Sequence, residues 1–273
     1  MVKPMYAINE AIQLTPSTLG GLTISRVEDR LVGINILIYG DSGVGKTVLA
    51  GSASDVPEMC PVLVIDIEGG TESLKSTYPD VDVVRVQTWD EMQSVYNELA
   101  LGKTGYKTVI LDSLTEIQKF NMYFIMDRAS KKNPNQDPDV PSMREWGINL
   151  EQCRRLVRAF RDLPMNTIVT ALSKDDKNER TAKVTTKPSL SGKLAGEVAA
   201  FLDIVGYYYV KAVVQSDKSV VLERNLLTQM TDQYIAKDRS GKLPQVVSSP
   251  TMRAIYDLMN QPITQTTNET GAK

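Results

Sequence analysis

The chain has 273 residues, 42% apolar and 23% charged, with a formal charge of −2, two cysteines and no histidine. That length buries a substantial core in one large domain or two small ones, and the near-balanced charge excludes bulk attraction to nucleic acid, leaving only a local basic patch. The missing histidine excludes Ser-His-Asp and Cys-His sites, HExxH metal chemistry and an imidazole proton shuttle; Cys60 and Cys153, far apart and without a partner motif, exclude a disulfide framework and a thiolate zinc site.

The first residues, MVKPMYAINEAIQ, carry no apolar signal-peptide core, and the longest apolar stretch, 31–39, is strand-sized and interrupted by Asn35. The expectation is a cytoplasmic chain with no membrane partner. Residues 1–30 mix Pro, Thr, Gly and charges without a sustained period and read as an N-terminal arm or small cap. A regular alternation then fills 31–260. Residues 34–39 (INILIY) are strand-like and lead through a Gly-rich turn into the helix-like KTVLAGSA. Further strands are expected at 62–67, 82–86, 108–111 and 167–171, with apolar residues at helical spacing in WDEMQSVYNELA between the second and third of these. Long helices are expected over 114–129 and 143–162. On the latter, Arg154, Arg155, Arg158 and Arg161 read as a solvated basic face with Leu156, Val157 and Phe160 inward. Residues 173–193 are polar and Lys-rich. Strands at 204–210 and 219–223 form a C-terminal β-hairpin, a helix at 251–259 closes the fold, and 261–273 is a Thr/Asn-rich disordered tail. Strands alternating with helices predict an α/β fold with a mostly parallel central sheet and helices on both faces.

Gly40, Asp41, Ser42, Gly43, Val44, Gly45, Lys46 and Thr47 spell GDSGVGKT, a full GxxxxGK[ST] match that follows a buried strand and opens a helix at Val48. Glycines let backbone N–H groups turn in around phosphates, Lys46 supplies charge to the β/γ-phosphates, and the Thr47 hydroxyl ligates Mg²⁺. Asp112, ending TVILD, is the carboxylate expected to hold Mg²⁺ through water, with Ser113 as the N-cap of the next helix. Glu68, just beyond the second strand, faces the same crevice and is the candidate for polarising water. Asp66 is expected to point the other way or to lie inside the strand.

In this order, the parts resemble the RecA/RadA core. VLVIDIEGG is similar to the RecA segment in which the catalytic glutamate follows strand two, KTVILDSLTEI to the Walker B strand, and NTIVTALSKDD to the strand leading into a DNA-binding loop. IAKDRSGKL is similar to the RadA Lys-x-Arg-Phe-Gly element, which acts on a neighbouring subunit's nucleotide; here that implies Lys237 and Arg239 as trans catalytic groups. YGDSGVGKT, IDIEGGTESL, LDSLTEI, FRDLPMNTIVTA and AKDRSGKLP resemble the phage-encoded RecA-like group that includes Sak-type single-strand annealing proteins. The resemblance implies an ATP- and Mg²⁺-dependent homo-oligomer, ring or filament, on single-stranded DNA in a bacterial host's cytoplasm, promoting annealing or recombination with a single-strand-binding protein as a further partner. The chain departs from RecA in lacking a large C-terminal domain. It also shows Thr170, Ala171, Leu172 and Ser173 where a Gln or His sensor is common.

Two segments are candidate DNA contacts: Lys174, Lys177, Arg180, Lys183 and Lys187 in a flexible stretch, and Arg128, Lys131 and Lys132 opening another loop. Neither holds an aromatic for base stacking, and solvated surface loops are the competing reading. The alternative function is a nucleotide-switched binding module with weak or no hydrolysis that recruits replication or recombination partners.

Overall fold

Strand Asn35–Gly40 is buried at every position, because both faces of a central parallel strand are covered. The computed structural model describes residues 18–19, 22–24 and 33–261. Contacts divide the chain at Val32 into two units. In the first, β1 (Thr18–Leu19) and β2 (Leu22–Thr23) pair antiparallel; the rest of the expected arm, and the expected tail beyond 261, lie outside the described residues.

In the second unit the chain runs β3 (Asn35–Gly40), α1 (Lys46–Gly51), β4 (Val62–Asp66), β5 (Asp82–Arg85), α2 (Trp89–Ala100), β6 (Thr108–Asp112) and α3 (Leu114–Lys132). It continues through α4 (Met143–Arg161), β7 (Asn166–Lys177), β8 (Val184–Pro188), α5 (Leu194–Phe201), β9 (Ile204–Val214), β10 (Val220–Leu227), β11 (Lys237–Asp238), β12 (Val246–Ser248) and α6 (Met252–Asn260). The sheet order is β12-β10-β9-β3-β7-β6-β4-β5. From β9 to β5 every neighbouring pair is parallel; β10, β11 and β12 join antiparallel. The expected α/β fold with a mostly parallel sheet is what forms.

Alternation along the strands sorts the core into two layers. Leu37, Tyr39, Leu63, Ile65, Val109 and Leu111 pack with Leu114, Phe160 and Val198 from α3, α4 and α5. Ile36, Ile38, Val62, Val64, Ile110 and Ile168 pack with Leu49 of α1 and Ile255 of α6. Helices therefore cover both faces. Helix starts follow the local chemistry: Thr88 and Glu91 form a capping box for α2, as do Ser142 and Glu145 for α4. Cys153 is buried in this core and burial pushes its thiol up to about 12, which makes it inert.

Three expectations are corrected. Residues 173–193 are no flexible stretch: β7 runs on to Lys177 and pairs with β8 in an antiparallel hairpin, tied by the Thr186 hydroxyl to Asp175 at 2.7 Å and by Lys187 to Asp176. Arg128, Lys131 and Lys132 do not open a loop but sit on the last turns of α3. The Lys131–Asp127 pair at 2.6 Å and the favourable dipole of a basic C-terminus extend the helix. The arginines of α4 are only partly a solvated face. Arg154 bridges Glu151 and Glu197, and Arg158 lies 4.2 Å over the Phe201 ring, so both seal α4 against α5. The C-terminal hairpin forms as expected but is longer, β9 pairing β10 from Tyr207↔Leu227 to Val214↔Val220.

Candidate functional site

Parallel strands deliver their carboxyl ends to one edge of the sheet, and the loops after β3, β4, β6 and β7 meet there. Gly40 ends β3 where β9 passes so closely that a Cβ would lie 2.1 Å from the Tyr208 carbonyl oxygen; only glycine fits. Gly45, the last residue before α1, has φ +99°, again a glycine conformation. Between them the Val44 carbonyl accepts from Arg224 Nε at 3.0 Å, so β10 is fastened to the loop.

Lys46 is buried and donates to the carbonyls of Gly40 and Asp41 at 3.0 and 2.7 Å. Burial holds its pKa below the ordinary 10.5, against the opposing pull of the Glu68, Asp112 and Asp41 carboxylates. Asp112 ends β6, buried, with one oxygen accepting from the Thr47 hydroxyl at 2.7 Å and the other from Thr170. A hydroxyl and a carboxylate in contact are hard oxygen donors that fit Mg²⁺, whose shell is usually completed by phosphate oxygens and water. The described residues hold no cluster of three or more His, Cys, Asp or Glu that would form an all-protein cage.

Glu68 is exposed, and its carboxylate accepts from the Ser113 hydroxyl, which also caps α3 at the Glu116 N–H. Asp66 lies inside the strand, as expected, but it is not idle there. As the last residue of β4 it accepts from Gly69 N at 2.7 Å, the Thr71 hydroxyl at 3.1 Å and Arg85 at 3.0 Å, and so shapes the turn that presents Glu68. Ser173 donates to Asp41. Both polar residues noted where a sensor is common therefore touch the site, Thr170 on Asp112 and Ser173 on Asp41. Beside α1 lies a cavity of about 370 Å³ walled by Val48, Tyr78, Tyr208, Leu222, Arg224 and Pro250. Arg224 and Tyr208 had no local signal, being brought in by a contact spanning most of the chain. Asp66 was visible as a residue, but not its three partners.

The remaining candidates lie apart. Lys237 opens β11 and Arg239 follows it; β11 pairs with Ile204 and Val205. Ile204 neighbours Ile36, near the start of β3 and away from the loop after Gly40. Lys237 donates to the carbonyls of Ala199 and Ala200 at 2.8 and 3.3 Å, and Arg239 pairs with Asp203 at 2.6 Å. On the β7–β8 hairpin Lys174 donates to the Leu190 carbonyl, Lys183 pairs with Asp232 at 3.2 Å and Lys187 with Asp176; Lys177 and Arg180 have no ion pair among the described residues. Arg128, Lys131 and Lys132 are displaced along α3 by roughly 20–28 Å from Ser113.

No curated protein matches the sequence. Among solved structures, a KaiC-like protein from Pyrococcus horikoshii is similar at 14% identity over 72% of this chain and 78% of its own, with a TM-score of 0.41. A type III secretion ATPase of pathogenic bacteria is 19% identical over 65% of this chain and 51% of its own, TM-score 0.42. The assembled ATPase EscN of enteropathogenic Escherichia coli is 19% identical over 64% and 43%, TM-score 0.43. The chain thus spans about half of the secretion ATPases it resembles. A family model described as an AAA domain matches residues 33–240, a span that holds the loop after β3, Glu68 and Asp112 together, and the chain belongs to that family of P-loop ATPases, which bind and hydrolyse nucleotide.

Proposed function

We propose that the chain hydrolyses ATP with Mg²⁺ as a homo-oligomer on single-stranded DNA and promotes annealing or recombination in the cytoplasm of a bacterial host. The observation that carries the catalytic half is Asp112 shared between Thr47 and Thr170, with Glu68 held beside it by Ser113. Lys46 exchanges the carbonyls of Gly40 and Asp41 for the β/γ-phosphates. Thr47 and Asp112 hold Mg²⁺, which when bound neutralises phosphate charge. Glu68 orients a water and takes its proton as the new O–P bond forms and the bond to the ADP oxygen breaks. The cavity beside α1 receives the nucleoside, with Arg224 at its phosphate end. Lys237 and Arg239 serve as fingers to a neighbouring subunit once released from Asp203 and the α5 carbonyls.

The DNA half is supported by the resemblance in motif order and by basic side chains without ion-pair partners among the described residues: Lys177 and Arg180 on the hairpin, Arg128 and Lys132 on α3. Lys131, Lys174, Lys183 and Lys187 contribute by exchanging their internal partners for phosphates, and a single-strand-binding protein is the expected partner. Those internal partners also favour a second reading, a nucleotide-switched module that recruits replication or recombination proteins with little turnover. ATP turnover with and without a long single-stranded oligonucleotide separates the two. Stimulation supports the first; ATP binding with negligible turnover in both conditions supports the second.

A further inference from the structure

The C-terminal turns of α3 and the first turns of α4 enclose a cavity of about 340 Å³, remote from the phosphate loop in the chain. Three cations surround it: Arg128, Lys132 and Arg144, all exposed and none in an ion pair among the described residues. Their neighbours on the same helices behave differently, Lys131 being bound to Asp127 and Arg154 to Glu151 and Glu197. The one carboxylate lining the cavity, Glu145, is committed to the cap of α4, accepting from both the backbone N–H and the hydroxyl of Ser142. With three cations against one carboxylate, the cavity carries net positive charge.

Its walls suit more than a bare ion. The Arg128 guanidinium lies 5.4 Å from the Phe124 ring centroid, a planar cation resting on an aromatic, and Ile148 forms an apolar wall, 37% exposed. A flat apolar wall and a cluster of cations are the complements of a base face and a phosphodiester. In a duplex, bases present only their edges in the grooves, whereas a single strand can lay one base into a concavity of this size.

We propose that this cavity binds one nucleotide unit of a single-stranded nucleic acid, with phosphodiester oxygens between Arg128, Lys132 and Arg144 and the base against Phe124 and Ile148. The proposal rests on the reading that the protein works on single strands, and it puts a principal contact of the strand here rather than only on the β7–β8 hairpin.

The test is fluorescence anisotropy of labelled dT20 over a salt series, using the full chain and the triple variant Arg128→Gln, Lys132→Gln, Arg144→Gln. Binding of a fluorescent ATP analogue confirms that each protein is folded. A control variant, Lys75→Gln, Arg155→Gln, Arg253→Gln, removes three surface cations that are already ion-paired. Loss of the one phosphodiester contact lowers the steepness of log K against log salt by about 0.7 and weakens binding about fivefold near 0.1 M salt; the control should change neither by a comparable amount. Unchanged affinity and slope in the cavity variant, with wild type binding dT20, overturn the cavity site while leaving the single-strand reading intact. No dT20 binding by wild type overturns both. If the cavity variant loses binding of dTMP but keeps that of dT20, the cavity serves a free mononucleotide and the proposal falls.

Discussion

Lys46 is held by opposing forces: burial drives its proton off, while Glu68, Asp112 and Asp41 hold it on, and burial wins. An arriving triphosphate adds negative charge beside the ammonium and raises its pKa, so the complex binds the proton more tightly than the free protein. Affinity should therefore be greatest below the free-state pKa of Lys46 and fall as pH rises through it. Calorimetry at alkaline pH in two buffers of different ionisation enthalpy should show proton uptake on ATP binding, absent in Lys46→Met; no uptake in wild type would contradict the account. Asp66 acts through Gly69, Thr71 and Arg85 on the turn carrying Glu68. Asp66→Asn removes charge from the Arg85 pair and replaces one acceptor oxygen with a donor. It should lower kcat more than it raises the KM for ATP, by roughly tenfold to a hundredfold if Glu68 shifts by about an ångström. An equal loss in both parameters, or in stability alone, would make Asp66 merely structural.

At the scale of elements, the fastening of β10 to the phosphate loop through Arg224 and the Val44 carbonyl is exposed to solvent. Arg224→Ala should weaken ATP binding about fivefold, the worth of one exposed charge-assisted bond, without lowering the melting temperature. An unchanged ATP Kd would detach the hairpin from the nucleotide site. The contrast with Thr47 shows what local sequence discloses. The loop between β3 and α1 was legible because Gly40 to Thr47 are contiguous and each residue type is dictated by phosphate chemistry. The strands were legible because both their faces are buried, which leaves unbroken apolar runs such as VLVID and TVILD. The β7–β8 hairpin was not, since VTTKP and SKDDK carry no apolar run, and their pairing rests on cross-strand ties from Asp175 and Asp176. Arg224 was hidden for another reason. Its partner is supplied by the sheet order that sets β9 beside β3 and β10 beside β9, and no spacing along the chain reports that.

Across the whole molecule, Lys237 and Arg239 sit toward the opposite end of β3 from the phosphate loop, bonded to their own chain. A head-to-tail assembly could set that end of one subunit against the next subunit's loop. Lys46→Ala and Arg239→Ala proteins should each be inactive alone, yet mixed equally about a quarter of random head-to-tail interfaces unite an intact loop with an intact finger. Partial recovery of ATPase activity on mixing is the expected result. No recovery, with co-assembly shown by light scattering and unchanged melting temperatures, would leave Arg239 as a brace for Asp203.

The central claim is that Glu68 polarises the attacking water while Asp112, fixed by Thr47 and Thr170, serves the metal. Single-turnover hydrolysis and ATP binding, measured together on wild type, Glu68→Gln and Asp112→Asn, test it most directly. Glu68→Gln should bind ATP with Mg²⁺ as wild type does and hydrolyse it about 10²–10⁴-fold more slowly, whereas Asp112→Asn should need more Mg²⁺ to bind at all. Near-normal hydrolysis by Glu68→Gln, with Asp112→Asn binding normally but failing to turn over, would contradict the account and reverse the two roles.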